Sequence, residues 1–224
     1  LKIRRRGGPG LSDWATNLKR TSLKISALIV VGFGLAFVPA WLALASVRLS
    51  HDSGETTGVY EIDNAHSSVI FAVNHFGLSY TYGRFNSVSG SFSMVNGQPD
   101  QTGFSFKIET ASIDTNNQER DEHLQGAEFF DCQQFPEITF KTTGFRQVDG
   151  EYLVTGDLRI RDQIRNVTMP IRMVGIGKDP FGKEKVGFFT KFTIKRSEFG
   201  MDKMLGSIGD NVSVTFSFEA AKKP

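Results

Sequence analysis

The chain has 224 residues, of which 39% are hydrophobic and 12% aromatic, with a formal net charge of +2; that length is enough for one domain with a sizeable core. The charge is uneven: residues 1–50 carry eight Lys/Arg against one acid, Asp13, leaving 18 of the 26 basic and 23 of the 24 acidic residues to positions 51–224. A mildly acidic body lacks the footprint of a nucleic-acid binder, and a single cysteine, Cys132, excludes an internal disulfide framework.

Between Lys24 and Arg48 runs ISALIVVGFGLAFVPAWLALASV, 23 uncharged residues. As a helix at about 1.5 Å per residue it would rise roughly 34 Å, enough to cross a bilayer. Pro39 splits it into an apolar core, Ile25 to Val38, and a tail ending Ala43-Leu44-Ala45, the small-x-small pattern of a signal-peptidase site. Residues 1–45 therefore predict a bacterial signal peptide cleaved after Ala45 and a periplasmic destination. A retained anchor in the inner membrane, facing the periplasm, is the alternative; in that case this segment contacts the membrane. Residues 46–58, which include His51, read as a flexible linker, and residues 59–220 as the folded domain.

From residue 59 onward the dominant period is two. Strand-like runs are expected at 67–76, 84–95, around Phe104, Phe106 and Ile108, at 137–146, over Tyr152 to Ile160, at 167–177, over Val186 to Ile194, and over Val212 to Phe218. In the second run Phe85 is out of phase with Val88, Phe92 and Met94, which predicts a bulge near Ser87. Turn chemistry at Asn96-Gly97, Asp149-Gly150 and Asp179-Pro180-Phe181-Gly182 makes neighbours into hairpins. The fold class is all-β, an antiparallel barrel of about eight strands, whose interior either fills with side chains or holds one small ligand. Between Ser112 and Pro136 the alternation stops. Asp114 and Thr115 are the expected N-caps of one short helical insert, Gln118 to Gly126.

That insert carries Arg120, Asp121, Glu122 and His123. On a helix, residues two apart point about 200° from each other, so Asp121 and His123 do not form a dyad with one another. No nucleophile elbow, zinc-protease signature or phosphate loop occurs in the body. The cluster is expected to brace the insert against the barrel or to touch a ligand headgroup. His66 and His75, nine apart, face opposite sides of a regular strand, so no metal site is expected. Cys132 has no evident partner and reads as structural.

Phenylalanine is the strongest compositional signal, with 20 residues. Phe71, Phe104, Phe106, Phe140, Phe188, Phe192 and Phe216 lie at inward positions of several strands, beside small residues such as Ala72, Gly156 and Thr190. Large flat walls with small gaps line either a packed core or an apolar slot suited to a lipid tail.

The segments YEIDNAHSSVIFAVNHFG (60–77), GRF (83–85), SIDTNNQERDEHLQGAEFFDCQQFPEITF (112–140), GDLRIRDQIRNVTMPI (156–171) and KRSEFGMD (195–202) together resemble the YceI-like family of exported, lipocalin-like polyisoprenoid-binding proteins. The chain departs from the family pattern at Arg161-Asp162, where an Arg-Gly or His-Gly turn is usual, and in the acidic Glu122 between Asp121 and His123. The resemblance implies a barrel that binds, and transports or stores, a polyisoprenoid, an isoprenoid quinone or another long-chain amphiphile. It implies no cofactor, and it permits a homodimer. Phe71, Val73, Phe104, Phe106, Phe140, Leu158, Phe188, Phe192, Val214 and Phe216 are the expected wall, with Phe129 and Phe130 as plug or rim. His75, Asp114, Arg120, Asp121, His123 and Arg196 are expected as headgroup contacts or braces. The rival reading is an enzyme acting on a lipid or quinone in the same cavity, with His75, Asp114 or Arg196 as its polar groups.

Overall fold

A computed structural model describes residues 57–95, 103–148 and 151–224. The leader, residues 46–56 of the linker and the Asn96-Gly97 and Asp149-Gly150 turns lie outside the described residues, and the last linker position, Gly58, opens β1. The strands are β1 (Gly58–His75), β2 (Ser79–Phe85), β3 (Val88–Met94), β4 (Ser105–Glu109), β5 (Ile113–Asp114), β6 (Glu137–Val148), β7 (Glu151–Ile160), β8 (Gln163–Lys178), β9 (Glu184–Lys195) and β10 (Ile208–Lys222), with one helix, α1 (Gln118–Gln125), between β5 and β6. Every pairing is antiparallel, and the ring runs β1-β10-β9-β8-β7-β6-β4-β3 back to β1. β2 pairs with the second half of β1, and β5 with the end of β2. Thus β2 and β3 are two halves of one bent strand, β4 and β5 of another, and the ten segments make a closed eight-stranded barrel.

The bend has one cause, visible in three adjacent strands. In β1, Tyr60 and Ile62 point inward, and then Val69, Phe71 and Val73 do, so the inward set changes from even to odd positions. Between these sets β1 advances from Asp63 to Ser68 while β10 moves only from Glu219 to Ser217. An odd number of extra residues reverses which face each side chain takes. The same reversal separates Phe85 from Val88, across Asn86-Ser87, and Ile108 from Ile113, across a 3-10 turn at Thr110–Ser112. The sequence placed a bulge near Ser87; the chain instead breaks there into β2 and β3.

Polar groups join these irregularities into one seam. Asn64 Oδ1 accepts from the Val88 N–H at 2.8 Å, and Asn64 Nδ2 donates to the Asn86 carbonyl. The Asn86 N–H donates to the Ser112 carbonyl, and the Ser87 N–H to Ser112 Oγ. Asp63 organises the β1 bulge: it accepts from the Ala65 N–H, its carbonyl accepts from Ser67 Oγ, and Lys185 Nζ donates to its Oδ2 at 2.8 Å.

One strand escapes the alternation, and another begins earlier than it indicates. β2, SYTYGRF, is patterned inside out, with Tyr80 and Tyr82 facing solvent while Gly83 and Phe85 are buried. β8 begins at Gln163 rather than 167, because its polar first residues pair along β7. The helix starts at Gln118 as expected, but its N-cap is Asn117, which accepts from the Arg120 N–H. Asp114 turns back on the Asn116 N–H, and Thr115 donates its N–H to Asp121 Oδ1, so neither caps the helix.

The Asp63 carboxyl is held down from 3.8 to about 2, first by Lys185 and then by His66. A carboxyl whose value is lowered on folding adds stability above its unfolded value, and that stability is lost as the pH falls through the folded value. Asp63→Asn is therefore expected to cost about 2 kcal/mol at neutral pH. Urea titrations of both proteins should show the gap intact above pH ~4 and closing towards pH ~2.

Candidate functional site

The barrel interior divides at the seam. On the side where β1 begins, phenylalanines fill it. Phe92 stacks on Tyr60 at 5.5 Å and lies 4.8 Å from Phe104, and both Phe92 and Phe104 meet Phe188 edge-on at 5.5 Å. Phe218 packs against Phe188 at 5.4 Å and Phe106 at 5.2 Å. Tyr60 closes that end by donating its hydroxyl to Glu184. Burial, then the neighbouring carboxylate, pushes the Tyr60 hydroxyl well above its ordinary range.

On the other side of the seam the walls stand apart around a cavity of about 150 Å³. Val69, Phe71, Val73, Phe85, Ile108, Ile138, Leu158, Ile160, Phe192, Ile194, Val212 and Val214 form its sides. A smaller cavity of about 50 Å³ continues it inward past Phe140 and Phe216, and the two share Val69, Ile108, Ile138, Leu158, Phe192 and Val214. The Phe71 ring closes one wall by lying over Gly83, where a Cβ would come within 2.3 Å of it.

The insert covers the mouth. Leu124, Phe129 and Phe130 line the cavity, together with Met201 from the β9–β10 connection and Ile208 at the start of β10. Phe130 meets Phe85 edge-on at 5.5 Å, while Phe129 lies against the His123 ring at 5.0 Å. The charged face of α1 points away from the cavity. Asp121 accepts from the Thr115 N–H and hydroxyl, and Arg120 donates to Thr115 Oγ1 and its carbonyl, at 2.7 and 2.6 Å. Glu128 links His123 Nε2, at 3.2 Å, with Lys203, and so ties the insert to the β9–β10 connection. Lys203 first and His123 second hold the Glu128 carboxyl below the usual range.

Arg196 is the one charged side chain that lines the cavity, and it is 5% exposed. Its donors are engaged by backbone carbonyls: Nε by Gly209, Nη1 by Met201 and Lys203, and Nη2 by Ile208, at 2.7–2.9 Å. Burial lowers its proton affinity, against the opposing pull of Asp210 and Asp202. It shapes the connection that forms the rim. His75 is exposed, edge-on to Phe76 at 4.6 Å. Asp114 is held by Asn116 and Asn86.

Of the residues expected as wall or plug, Phe71, Val73, Phe129, Phe130, Leu158, Phe192 and Val214 border the larger cavity, and Phe106, Phe140 and Phe216 the smaller. Phe104 and Phe188 sit in the packed half. Of the small positions, Thr190 borders the smaller cavity, but Gly156 and Ala72 do not act as gaps in the way alternation suggested. The space at Gly156 is taken by the Phe140 ring, and Ala72 lies on the outer surface beside Tyr80 and Tyr82. Wall residues that sequence reasoning passed over include Val69, Val212 and Ile194, each two positions from a chosen residue and so carrying the same period-two signal. Met201 lies in the β9–β10 connection and Ile208 at the first position of β10, where no periodicity marks them. Cys132 is half-buried, and burial raises its thiol.

One group of potential metal ligands occurs among the described residues. Asp63, His66 and Glu219 bring ligand atoms within 4.8 Å of one another on the outer surface. The Lys185 ammonium already bridges both carboxylates, at 2.8 and 3.3 Å, and supplies the positive charge there.

A closed barrel with an apolar chamber covered by a helical insert has the architecture that can hold one small ligand. The YceI-like domain model matches residues 60–220, and the chain belongs to that family. A relative from Azotobacter vinelandii, described as a UPF0312 protein, is 32% identical over 186 residues, covering 82% of this chain and 97% of its own. The crystal structure of Burkholderia cenocepacia BcnA superposes with a TM-score of 0.65 at 24% identity, covering 70% of this chain and 98% of that one. A Saccharophagus degradans domain described as polyisoprenoid-binding superposes with a TM-score of 0.55 at 13% identity, over 75% and 99% of the two chains. At these identities both structures speak for the fold.

Arg196→Ala should cost about 3 kcal/mol or more, because it strands several buried carbonyls whose unmade bonds cost roughly 1–3 kcal/mol each. Thermal melting measures the loss. Hydrogen exchange should show amides of residues 201–207 losing protection before those of β10.

Proposed function

We propose that the protein binds, and carries or stores, a long-chain isoprenoid or similar amphiphile in this chamber, and that it does so in the periplasm. The observation that carries the reading is the chamber itself, an apolar volume walled by the inward faces of the strands and by the insert. Burying a methylene is worth about 0.8 kcal/mol, so around ten give roughly 8 kcal/mol before the ordering costs of binding. The polyisoprenoid binding described for the structural neighbour agrees with this chemistry, and the signal-peptide pattern of residues 1–45 supports export.

The volume adds a condition. A cavity of about 150 Å³ is of the size that accepts a benzene-sized molecule. A chain of several isoprene units therefore fits only when Phe129 and Phe130 swing out with the insert and the tail runs through the mouth. The insert is suited to that motion: no residue of α1 is fully buried, and polar ties hold it.

Binding rather than catalysis is the reading the polar groups favour. The rival enzyme would use His75, Asp114 or Arg196, yet among the described residues no hydrogen bond links any two of them, and the Arg196 nitrogens are taken by carbonyls.

Organic extraction of the protein after expression with a periplasmic export signal should release a long-chain lipid near one per chain, read by mass spectrometry. If none is released, and the protein does not take up an added isoprenoid, the carrier reading fails. Two variants should then separate core from chamber. Phe104→Ala, in the packed half, should cost about 3–5 kcal/mol while the folded fraction keeps its lipid. Phe130→Ala should speed lipid exchange several-fold.

A further inference from the structure

The apolar chamber contains one buried hydroxyl with no protein partner. Thr190 is 1% exposed, it lines the deeper cavity of about 50 Å³, and its Oγ1 makes no hydrogen bond. It stands in register with Phe216 on β10 and Ile171 on β8, between Phe188, which belongs to the packed half, and Phe192, which belongs to the chamber wall. Thr139 is the other polar side chain bordering this cavity. It alternates with the buried Ile138 and Phe140, and so faces the outside of the barrel.

An unmade hydrogen bond at a buried hydroxyl costs roughly 1–3 kcal/mol, and valine would fill the same space without that cost. A trapped water is a poor remedy. The cavity is large enough for one, but a buried water needs two to four polar partners, and here one inward hydroxyl faces a ring of phenyl and aliphatic groups. A charged group is also excluded at this depth, because one neutral hydroxyl does not offset the desolvation of a carboxylate or phosphate. What fits is a neutral oxygen delivered by an otherwise apolar chain.

We propose that Thr190 is a recognition site for the oxygenated end of the ligand, a hydroxyl or carbonyl carried head-first to the floor of the chamber. The inference rests on the carrier reading and narrows its ligand to neutral chain alcohols, ketones or quinones. The chain then lies along the wall shared by the two cavities, with its apolar end towards the insert. This orientation agrees with the rim, where the Arg196 donors are already taken by backbone carbonyls.

The test uses delipidated full chain and two probes with the same carbon skeleton, farnesol and the hydrocarbon farnesene, and compares Kd values for the wild type, Thr190→Val and Thr190→Ser. Thr190→Val should weaken farnesol roughly five- to tenfold, the worth of one hydrogen bond, and leave farnesene unchanged or tighter. The valine protein without ligand should melt above the wild type, since it loses an unsatisfied group, and Thr190→Ser should keep the preference for farnesol. If valine changes both probes alike or neither, the Thr190 site is overturned while the carrier reading stands. If the wild type binds neither probe, the carrier reading falls, and this inference with it.

Discussion

The reversal of side-chain facing at mid-barrel is the constraint on which the interior depends. Three neighbouring strands, β1, β2–β3 and β4–β5, each change which parity points inward, and they do so at the same height. A single strand that slipped by one residue would throw its apolar set to solvent. Three that slip together bend the sheet and keep both sets inside. The seam is held by side-chain amides and hydroxyls acting as backbone substitutes: Asn64 serves β3, and Ser112 serves Ser87. These bonds satisfy groups that the interrupted ladders leave open. A regular barrel of the same composition would have one continuous aromatic core.

Because of the bend, the aromatic residues are sorted rather than merely buried. On one side Phe92, Phe104, Phe188 and Phe218 meet ring to ring at 4.8–6.3 Å, a density at which nothing else enters. On the other side the wall is mostly aliphatic, and its rings, Phe71, Phe85, Phe130 and Phe192, lie near the mouth or along the shaft. The packed half is thus the anchor that lets the other half tolerate empty volume. Unfilled space costs stability in proportion to its size, and the dense cluster offsets it.

The part of this organisation that could be read from sequence was the part carried by period two. The eight-stranded closure, the turn at Asp179 to Gly182 and the helical insert all follow from local pattern, and most of the wall residues chosen lie on the inward phase. What escaped has physical reasons. β2 carries tyrosines outward and a glycine inward, so its pattern is inverted, and its glycine makes sense only once the Phe71 ring is seen across the strand. The N-cap was misplaced because Asp114, Thr115 and Asn117 are all competent caps, and the choice fell to contacts with Asn86 and Asp121. The division between packed and hollow halves is a tertiary property: Phe104 and Phe192 have the same local signature, and only the seam puts them on opposite sides of it.

The knot of charge at Gln118–Gln125 shows why a dense polar cluster beside aromatic residues need not be a reactive centre. Its partners are close and local: Thr115 takes Arg120 and Asp121 together, Glu128 takes His123, and none of these groups faces the chamber. A helix of eight residues with no buried side chain has little hydrophobic reason to stay where it is. Its charges supply that reason through bonds that water can also make, so their net worth is small. The two phenylalanines that follow have an apolar pocket to fill. A cover of this kind is held by exchangeable polar bonds and seated by two rings in the apolar chamber. The charge thus ties the cover to its neighbours, while the rings after it supply the apolar contact with the chamber.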